Sequence, residues 1–261
     1  MFVALTDTET NSTKPIRQAL MKKIKDNFDD IQARLLAVES SLRMFDHFTW
    51  DDSNVDAAPG TPNLNLWRFG VQTGGPPDSS AALRTTEHSV RLTATPGASK
   101  GAIRMRGVLR LTPPQSPVAV FRFKTIASWA DFSDLVVGMG NDRDAGHTDL
   151  TPTDGVFLQM SGTSLRFASI KNGAQTSSST FTRPAADTWM EVEVKYIDSN
   201  SVECRFDGDL KETFDGPTDN VPDGFGDIMF PEVQFAVIVG GGTEEMDVDR
   251  GDAKLQSIAD L

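Results

Sequence analysis

Three carboxylates near the end of the chain alternate along one predicted β-strand, and side chains of this type can do acid–base chemistry. Glu245, Asp247 and Asp249 are separated by single apolar residues, so they would project from the same face of a strand. Cleavage of a glycosidic bond needs two carboxyl groups that flank the bond, one of which donates a proton. The triplet is therefore the first candidate for a reactive site.

The same triplet has a structural explanation, which we favour. It is similar to the Glu-x-Asp-x-Glu strand of sandwich-fold glycosidases, but its third position is aspartate, which is too short to place the acid. It also lies near the C-terminus, whereas those enzymes carry their catalytic strand in the middle of the chain. We therefore interpret Glu245, Asp247 and Asp249, like Glu191 and Glu193, as solvated faces of strands. We expect no enzymatic activity, with a glycoside hydrolase as the remote alternative.

A row of arginines is the second group that could bind a ligand. Arg104, Arg106 and Arg110 could grip an acidic neighbour, but ion pairs with carboxylates on adjacent strands also explain the row. We favour the cross-strand pairs. The three histidines are scattered, without a cysteine or a second histidine at ligand spacing, so neither a zinc site nor a nucleophilic triad is indicated.

An acidic loop between two predicted strands could hold a cation. Its candidate ligands are Asp142, Asp144, His147, Asp149 and Asp154. Carboxylate oxygens are ligands that calcium prefers, but the spacing of these residues matches no defined calcium loop. We therefore expect a hydrated loop and no cofactor, with calcium at Asp142, Asp144 and Asp149 as the alternative.

Two further features bear on recognition of a partner. Sugar binding without catalysis needs an exposed aromatic platform, for which Trp50, Trp67, Trp129 and Trp189 are candidates, although large aromatic residues are more often packed. The tripeptide Arg250-Gly251-Asp252 could contact a cell-surface receptor at a loop tip. A turn after a strand explains the same three residues, so we discount that interpretation.

The elements that must position these residues are mostly β-strands. From His88 onward, short alternating runs are separated by glycine, proline and aspartate, as is typical of antiparallel sandwiches. The runs 190–196, 202–206 and 210–214 are joined by turn residues and predict a three-stranded meander. The only cysteine, Cys204, lies on the apolar side of its run, which predicts a buried filler.

The N-terminal part instead shows a helical heptad pattern. Its apolar a and d positions are Ile24, Phe28, Ile31, Leu35, Val38, Leu42 and Phe45. Leucine at a with β-branched residues at d disfavours a dimer, so we expect a parallel homotrimer, with a tetramer second. An amphipathic helix lying on the sandwich is the alternative. We predict an extended docking arm over 1–13, a helical oligomerisation stalk over 14–46 and a sandwich over 47–261.

Composition excludes two classes of partner. The 261 residues carry a formal net charge of −12, which argues against nucleic acid and against an anionic membrane surface. No stretch approaches the roughly 20 apolar residues that span a bilayer, and no leader segment is evident. We expect a soluble protein that folds in a reducing cytoplasm.

The order of strands resembles the concanavalin A-like lectin and laminin-G-like jelly roll over roughly 48–261. The residues that carry the resemblance are Phe48, Trp67, the run 132–140, Thr188-Trp189, Phe206-Asp207-Gly208 and the run 246–249. The resemblance implies a mainly β fold, an antiparallel β-sandwich preceded here by the α-helical coiled-coil segment. In that family, acidic loops often hold calcium.

A second resemblance concerns the segment 13–28, Thr-Lys-Pro-Ile-Arg-Gln-Ala-Leu-Met-Lys-Lys-Ile-Lys-Asp-Asn-Phe. It is similar to the leading segment of many tailed-bacteriophage virion proteins. The two resemblances together imply a structural virion protein, a trimeric capsid decoration or head-fibre subunit that docks on other virion proteins through residues 1–30. A tail-associated receptor-binding or glycan-binding adhesin, touching host-surface glycans, is the alternative. Either would be assembled in the host cytoplasm and displayed on the virion surface.

Overall fold

The structure is a computed structural model, and it describes residues 24, 25, 27, 28, 44–46, 67–71, 80–84, 89–96, 101–126, 128–141 and 152–255. The chain divides into two compact units, Met1–Arg43 and Met44–Leu261. In the first unit, Ile24, Lys25, Asn27 and Phe28 are helical, and Phe28 is 68% exposed. No helix among the described residues is long and apolar enough to cross a membrane.

The second unit is built from strands. The first eight are β1 (Met44–Asp46), β2 (Trp67–Val71), β3 (Ser80–Arg84), β4 (Ser89–Ala94), β5 (Gly101–Gly107), β6 (Pro117–Thr125), β7 (Phe132–Asn141) and β8 (Gly155–Ser161). The others are β9 (Ser164–Lys171), β10 (Ala174–Ser177), β11 (Phe181–Thr182), β12 (Met190–Asp198), β13 (Ser201–Phe206), β14 (Asp209–Asp215), β15 (Met229–Val237) and β16 (Glu244–Leu255). Short 3₁₀ turns at Pro113–Gln115 and Gly216–Asp219 precede β6 and β15 respectively.

The strands form two antiparallel sheets of eight strands each. Sheet A has the order β14-β13-β12-β6-β16-β4-β3, with β1 also on β16, and sheet B has the order β10-β9-β8-β7-β15-β5-β2, with β11 also on β9. The predicted meander is confirmed, since β12, β13 and β14 are neighbours. The mainly β, antiparallel fold predicted from the sequence is therefore confirmed.

The core lies between the sheets and takes alternate residues from strands of both sheets. Phe132 and Phe235 stack with ring centroids 4.9 Å apart, and Trp67 meets Phe121 edge to face at 5.9 Å. Cys204 is buried as predicted, and burial raises the pKa of its thiol. Burial also raises the pKa of Tyr196, whose hydroxyl donates to the carbonyl oxygen of Pro222 at 3.2 Å.

The structure corrects the predicted end of the N-terminal helix. Phe45 does not occupy a heptad position, because it lies in β1 and pairs with Asp252 of β16. Strand β4 pairs with β16 only as far as Val248, so the backbone groups of 251–253 on that edge need another partner, and β1 supplies it. The other heptad positions Ile31, Leu35, Val38 and Leu42 lie outside the described residues, so the coiled coil stays a prediction.

Candidate functional site

The carboxylate triplet of β16 lies on the outer face of sheet A, the face opposite the core. Arg91 on β4 holds two of the three carboxylates. Its Nε and Nη2 donate to Oδ1 and Oδ2 of Asp247 at 2.7 and 2.9 Å, and its Nη1 donates to Glu245 Oε2 at 3.2 Å. Asp247 has no exposed surface. The two-pronged contact with a guanidinium gives Asp247 a structural role in an ion pair. Because Asp247 is buried, the solvated strand face expected from the sequence is wrong for this residue.

Asp249, the third member of the triplet, bonds to a different arginine, Arg122. The register between β16 and β6 shifts between Val248 and Arg250, so Asp249 occupies an irregular position, and it accepts a 2.7 Å bond from Arg122 Nη1. The alternation expected from the sequence therefore breaks at its third residue. Glu191 and Glu193 are paired in the same way, with Arg250 at 3.1 Å and Arg205 at 3.6 Å.

The tryptophans do not form an open platform. Trp67 and Trp129 are buried, and Trp50 lies outside the described residues. Trp189 is half-buried on the outer face of sheet A, with Arg122 and Lys124 over its ring at 4.9 and 5.1 Å. Lys124 also donates to Asp187 at 2.7 Å and lowers the pKa of that carboxyl.

The cation loop falls mostly outside the described residues, which exclude Asp142, Asp144, His147 and Asp149. Asp154 is described, and its Oδ1 accepts from the backbone N–H of Asn172 at 2.7 Å. Within the described ranges, no group of three or more His, Cys, Asp or Glu residues is placed to hold a metal ion.

The Arg250-Gly251-Asp252 tripeptide is not at a loop tip. It lies within β16, where Gly251 packs under the Trp67 ring and Asp252 is only 4% exposed. The loop-tip interpretation that we discounted from the sequence is therefore excluded by the fold.

The outer face of sheet B carries a group of polar side chains that the sequence did not single out as a site. Core residues such as Val233 and Phe235 alternate along β15 with Glu232 and Gln234, which therefore point away from the core. Both are nevertheless buried, at 2% and 5% exposure. Gln159 on β8 and Arg106 on β5 lie on the same face and are 9% and 8% exposed. Burial of polar groups is costly unless they are hydrogen-bonded, so these side chains mark a sheltered part of the outer face.

Strand register arranges these side chains in rows across the sheet. Gln234 pairs with Arg104 on one side and with Val136 on the other, Val136 pairs with Gln159, and Gln159 pairs with Arg166. These five residues form a line from β5 to β9, which we call the amide row. In the next row, Glu232 pairs with Arg106 and with Gly138.

The amide row is fixed at one end by a hydrogen-bond network. With the Gln159 amide oriented to satisfy its neighbours, its oxygen accepts from Arg166 Nε at 2.9 Å, from Arg166 Nη2 at 3.1 Å and from Gln175 Nε2 at 2.7 Å. The network holds the Arg166 guanidinium in a defined orientation.

Apolar groups and glycines complete this surface. Phe157, Ala168, Ile170 and Val136 form a small buried cluster separate from the main core. The Arg106 guanidinium lies 4.5 Å above the Phe230 ring. A side chain at Gly140 would collide with the Glu232 carboxylate, so the glycine makes room for that group.

Two of the three predicted arginines belong to this face. Arg104 and Arg106 lie on β5 and point away from the core, whereas Arg110 follows the strand and is exposed. Little in the sequence indicated that Glu232 and Gln234 belong to a site. The segment 231–237, Pro-Glu-Val-Gln-Phe-Ala-Val, alternates like any half-solvated strand.

No known protein family and no curated protein match the sequence, but solved structures share its fold. A β-1,3-glucanase from Mycobacterium marinum is 13% identical with a TM-score of 0.55, over 80% of this chain and 97% of that chain. A pseudo β-1,3-glucanase and immunostimulatory antigen of Mycobacterium tuberculosis is 15% identical with a TM-score of 0.57, over 82% and 98%. The metal-free carbohydrate recognition domain of Emp46p is 9% identical with a TM-score of 0.52, over 76% and 95%.

These similarities show the fold, a concanavalin A-like β-sandwich of the kind found in glycoside hydrolases and lectins. They correct the expectation that the chain is not an enzyme, because glycoside hydrolase family proteins are among the structures that share its fold. The Emp46p domain also has a potassium-bound form, so a metal is compatible with the fold. None of these structures points to a bacteriophage particle, and that part of the sequence interpretation stays a prediction.

Proposed function

We propose that the sandwich recognises a carbohydrate chain on the outer face of sheet B. The observation that carries the proposal is the burial of Glu232, Gln234 and Gln159 on the side of the sheet that faces away from the core. Structures that share the fold include a carbohydrate recognition domain and a β-1,3-glucanase, which supports the same class of ligand.

The chemistry of the face suits sugars. Amide groups donate and accept, and guanidinium groups donate, in the planar, two-pronged geometry that neighbouring hydroxyls can satisfy. The Phe230 ring is half-buried and offers an apolar surface to the C–H face of a sugar ring. The row of side chains crosses several strands, so it matches an extended chain better than a single sugar.

Hydrolysis of the bound chain is the second candidate function. Glu232 and Asp134 are the carboxyl groups on the described part of this face, and Glu232 is almost fully buried. Glycoside cleavage requires two carboxyl groups roughly 5 to 10 Å apart. The register places Asp134 and Glu232 on opposite sides of the amide row, so Glu232 is the candidate acid on the described part of this face. Reducing ends released from a bound polysaccharide would reveal this activity.

The test is binding of the purified full chain to a panel of soluble polysaccharides that includes a β-1,3-glucan, with reducing ends measured in the same samples. We expect Gln159→Ala to weaken binding by about 3-fold to 10-fold, because one hydrogen-bonding side chain and its hold on Arg166 are lost. The matched control is Lys195→Ala, which lies on the outer face of sheet A. Equal losses for the two variants would contradict the assignment of the face.

The role of the N-terminal part is a separate proposal that rests on the sequence alone. We propose that it joins three chains and attaches them to a phage head or tail, so that the sandwiches face outward. Labelling of intact particles with an antibody against the sandwich would test the location.

A further inference from the structure

We infer that the carbohydrate recognised at the outer face of sheet B is anionic, and that Arg104 and Arg166 bind its acidic groups. The inference rests on the proposed function and names the class of ligand. The arginines on the outer face of sheet A form ion pairs with carboxylates, whereas Arg104 and Arg166 on the outer face of sheet B form none with a described residue.

On the outer face of sheet A, arginines are neutralised by carboxylates. Arg91 pairs with Asp247, Arg122 with Asp249 and Arg250 with Glu191, at 2.7, 2.7 and 3.1 Å. Arg205 lies between two glutamates at 3.0 and 3.6 Å. This face has little positive charge left for a ligand.

The amide row on sheet B is different. Arg104 and Arg166 form no ion pair with any residue in the described part of the chain, and their register partners are the neutral side chains of Gln234 and Gln159. The chain as a whole carries a net charge of −12, so carboxylates are abundant. Two guanidinium groups without a carboxylate thus distinguish this row from the outer face of sheet A, as is expected where an anion binds.

The geometry of Arg166 fits this role. The Gln159 amide oxygen accepts from Nε and Nη2 of Arg166 and orients the guanidinium without neutralising it. A guanidinium carries five N–H groups, so about three remain for a ligand. An oriented planar fork is the group that best matches a carboxylate or a sulfate.

Spacing then defines the form of the ligand. Arg104 and Arg166 lie on β5 and β9, four strands apart in sheet B, and neighbouring strands are roughly 4.8 Å apart, so the two positions are separated by about 19 Å. The amides of Gln234 and Gln159 lie between them. This arrangement suits a polymer whose acidic groups recur along its length and whose hydroxyls meet the amides.

The carboxylates of the same face do not cancel the two arginines. Glu232 lies in the neighbouring row, in register with Arg106, and Asp134 lies on the other side of the amide row, in register with Ala236. Among the outer-face residues whose burial the structure describes, there are thus three arginines and two carboxylates, Arg104, Arg106 and Arg166 against Asp134 and Glu232. The acidic remainder of the chain would repel anions, so recognition must be confined to this row.

The experiment uses the full-length protein and pairs of polymers with the same sugar backbone, one acidic and one neutral. Polygalacturonate is compared with its fully methyl-esterified form, and dextran sulfate with dextran, which separates carboxylate from sulfate. We expect tighter binding of at least one acidic polymer than of its neutral partner. We also expect weakening toward 1 M NaCl, where the screening length is about 3 Å.

Arg104→Gln and Arg166→Gln should each weaken binding to the acidic polymer by about tenfold or more, because each removes a charge-assisted contact. Arg205→Gln on sheet A is the matched control and should bind as the wild type does. Thermal unfolding of each variant verifies that the fold is intact.

Two results would overturn the inference, and they are distinguishable. If neutral and acidic polymers bind equally and both arginine variants bind as the wild type does, the acidic ligand is wrong while carbohydrate recognition stands. If no polymer of either charge binds, the proposed function fails together with the inference.

Discussion

Glu244, at the start of β16, is a buried carboxyl group with an unusual environment. Its Oε1 accepts from Ser128 Oγ at 2.9 Å, while Oε2 is buried and accepts no hydrogen bond from a described residue. Burial raises the pKa of Glu244 above its ordinary value of 4.5, and the nearby Asp131 carboxylate raises it further. The native state therefore binds more protons than the unfolded chain between pH 4.5 and the raised pKa. The contribution of Glu244 to stability is present below pH 4.5 and is lost as the pH rises through the raised pKa.

We expect Glu244→Gln to reduce the loss of stability that the wild type shows as the pH rises from about 4.5 to about 7.5. The measurement is the free energy of unfolding from urea titrations at both pH values. Glu245→Gln, on the opposite face of the same strand, is the control for removal of one negative charge. If the two variants show the same change with pH, burial of Glu244 is not the cause.

At the residue scale, sequence patterns predicted types of side chain but not their partners. The alternation of Glu245 and Asp247 is the same for a catalytic strand and for a solvated one. What distinguishes these two interpretations is the contact with Arg91, which lies 156 residues from Asp247 in the sequence. Gln159 and Arg166 gave no signal at all, because an amide that meets a guanidinium across two strands looks like ordinary polar alternation. Such sites depend on register, which the sequence of one strand does not specify.

Strand β16 is the element that ties the sandwich together. It pairs with β6 along its length, with β4 over its first half and with β1 over its second half. Its residue Gly251 lies against the Trp67 ring of β2, which belongs to the other sheet, and a methyl group there would collide with that ring. The absence of a side chain at Gly251 thus lets the Trp67 ring enter between the sheets.

We expect Gly251→Ala to lower the free energy of unfolding by about 1–3 kcal/mol, because an added methyl group overpacks the contact with Trp67. Gly226→Ala is the matched control, since a methyl group there would meet no atom within 4 Å. Urea denaturation of both variants at one pH gives the comparison. Equal stability of the two variants would show that the Trp67 contact is not tight.

At the element scale, the strands that pair with their sequence neighbours were predictable. Strands β12, β13 and β14 alternate cleanly and are joined by turns, so local signals were sufficient. Strand β1 was not predicted, because Phe45 continues the spacing of four and three residues that began at Ile24. Its strand conformation depends on the unpaired edge of β16, more than 200 residues later in the chain.

At the scale of the whole molecule, the division of the chain into Met1–Arg43 and Met44–Leu261 defines how the predicted trimer can be tested. The second unit contains both sheets and the main core, including β1. A truncation that begins at Met44 therefore keeps every strand, whereas one that removes residues 1–46 strips β1 from β16 and exposes backbone groups of that edge.

We expect the full chain to have three times the mass of one chain in light scattering, and the 44–261 protein to be monomeric and as stable in urea as the full chain. The physical reason is that the apolar heptad positions from Ile24 to Leu42 need partner helices to cover them, and Phe28 is 68% exposed in a single chain. A full chain that stays monomeric at every concentration would contradict the trimer. A 44–261 protein that stays trimeric would show that the trimer interface lies in the sandwich. Deletion of residues 1–46 should lower stability below that of the 44–261 protein, because only that deletion removes the pairing of β1 with β16.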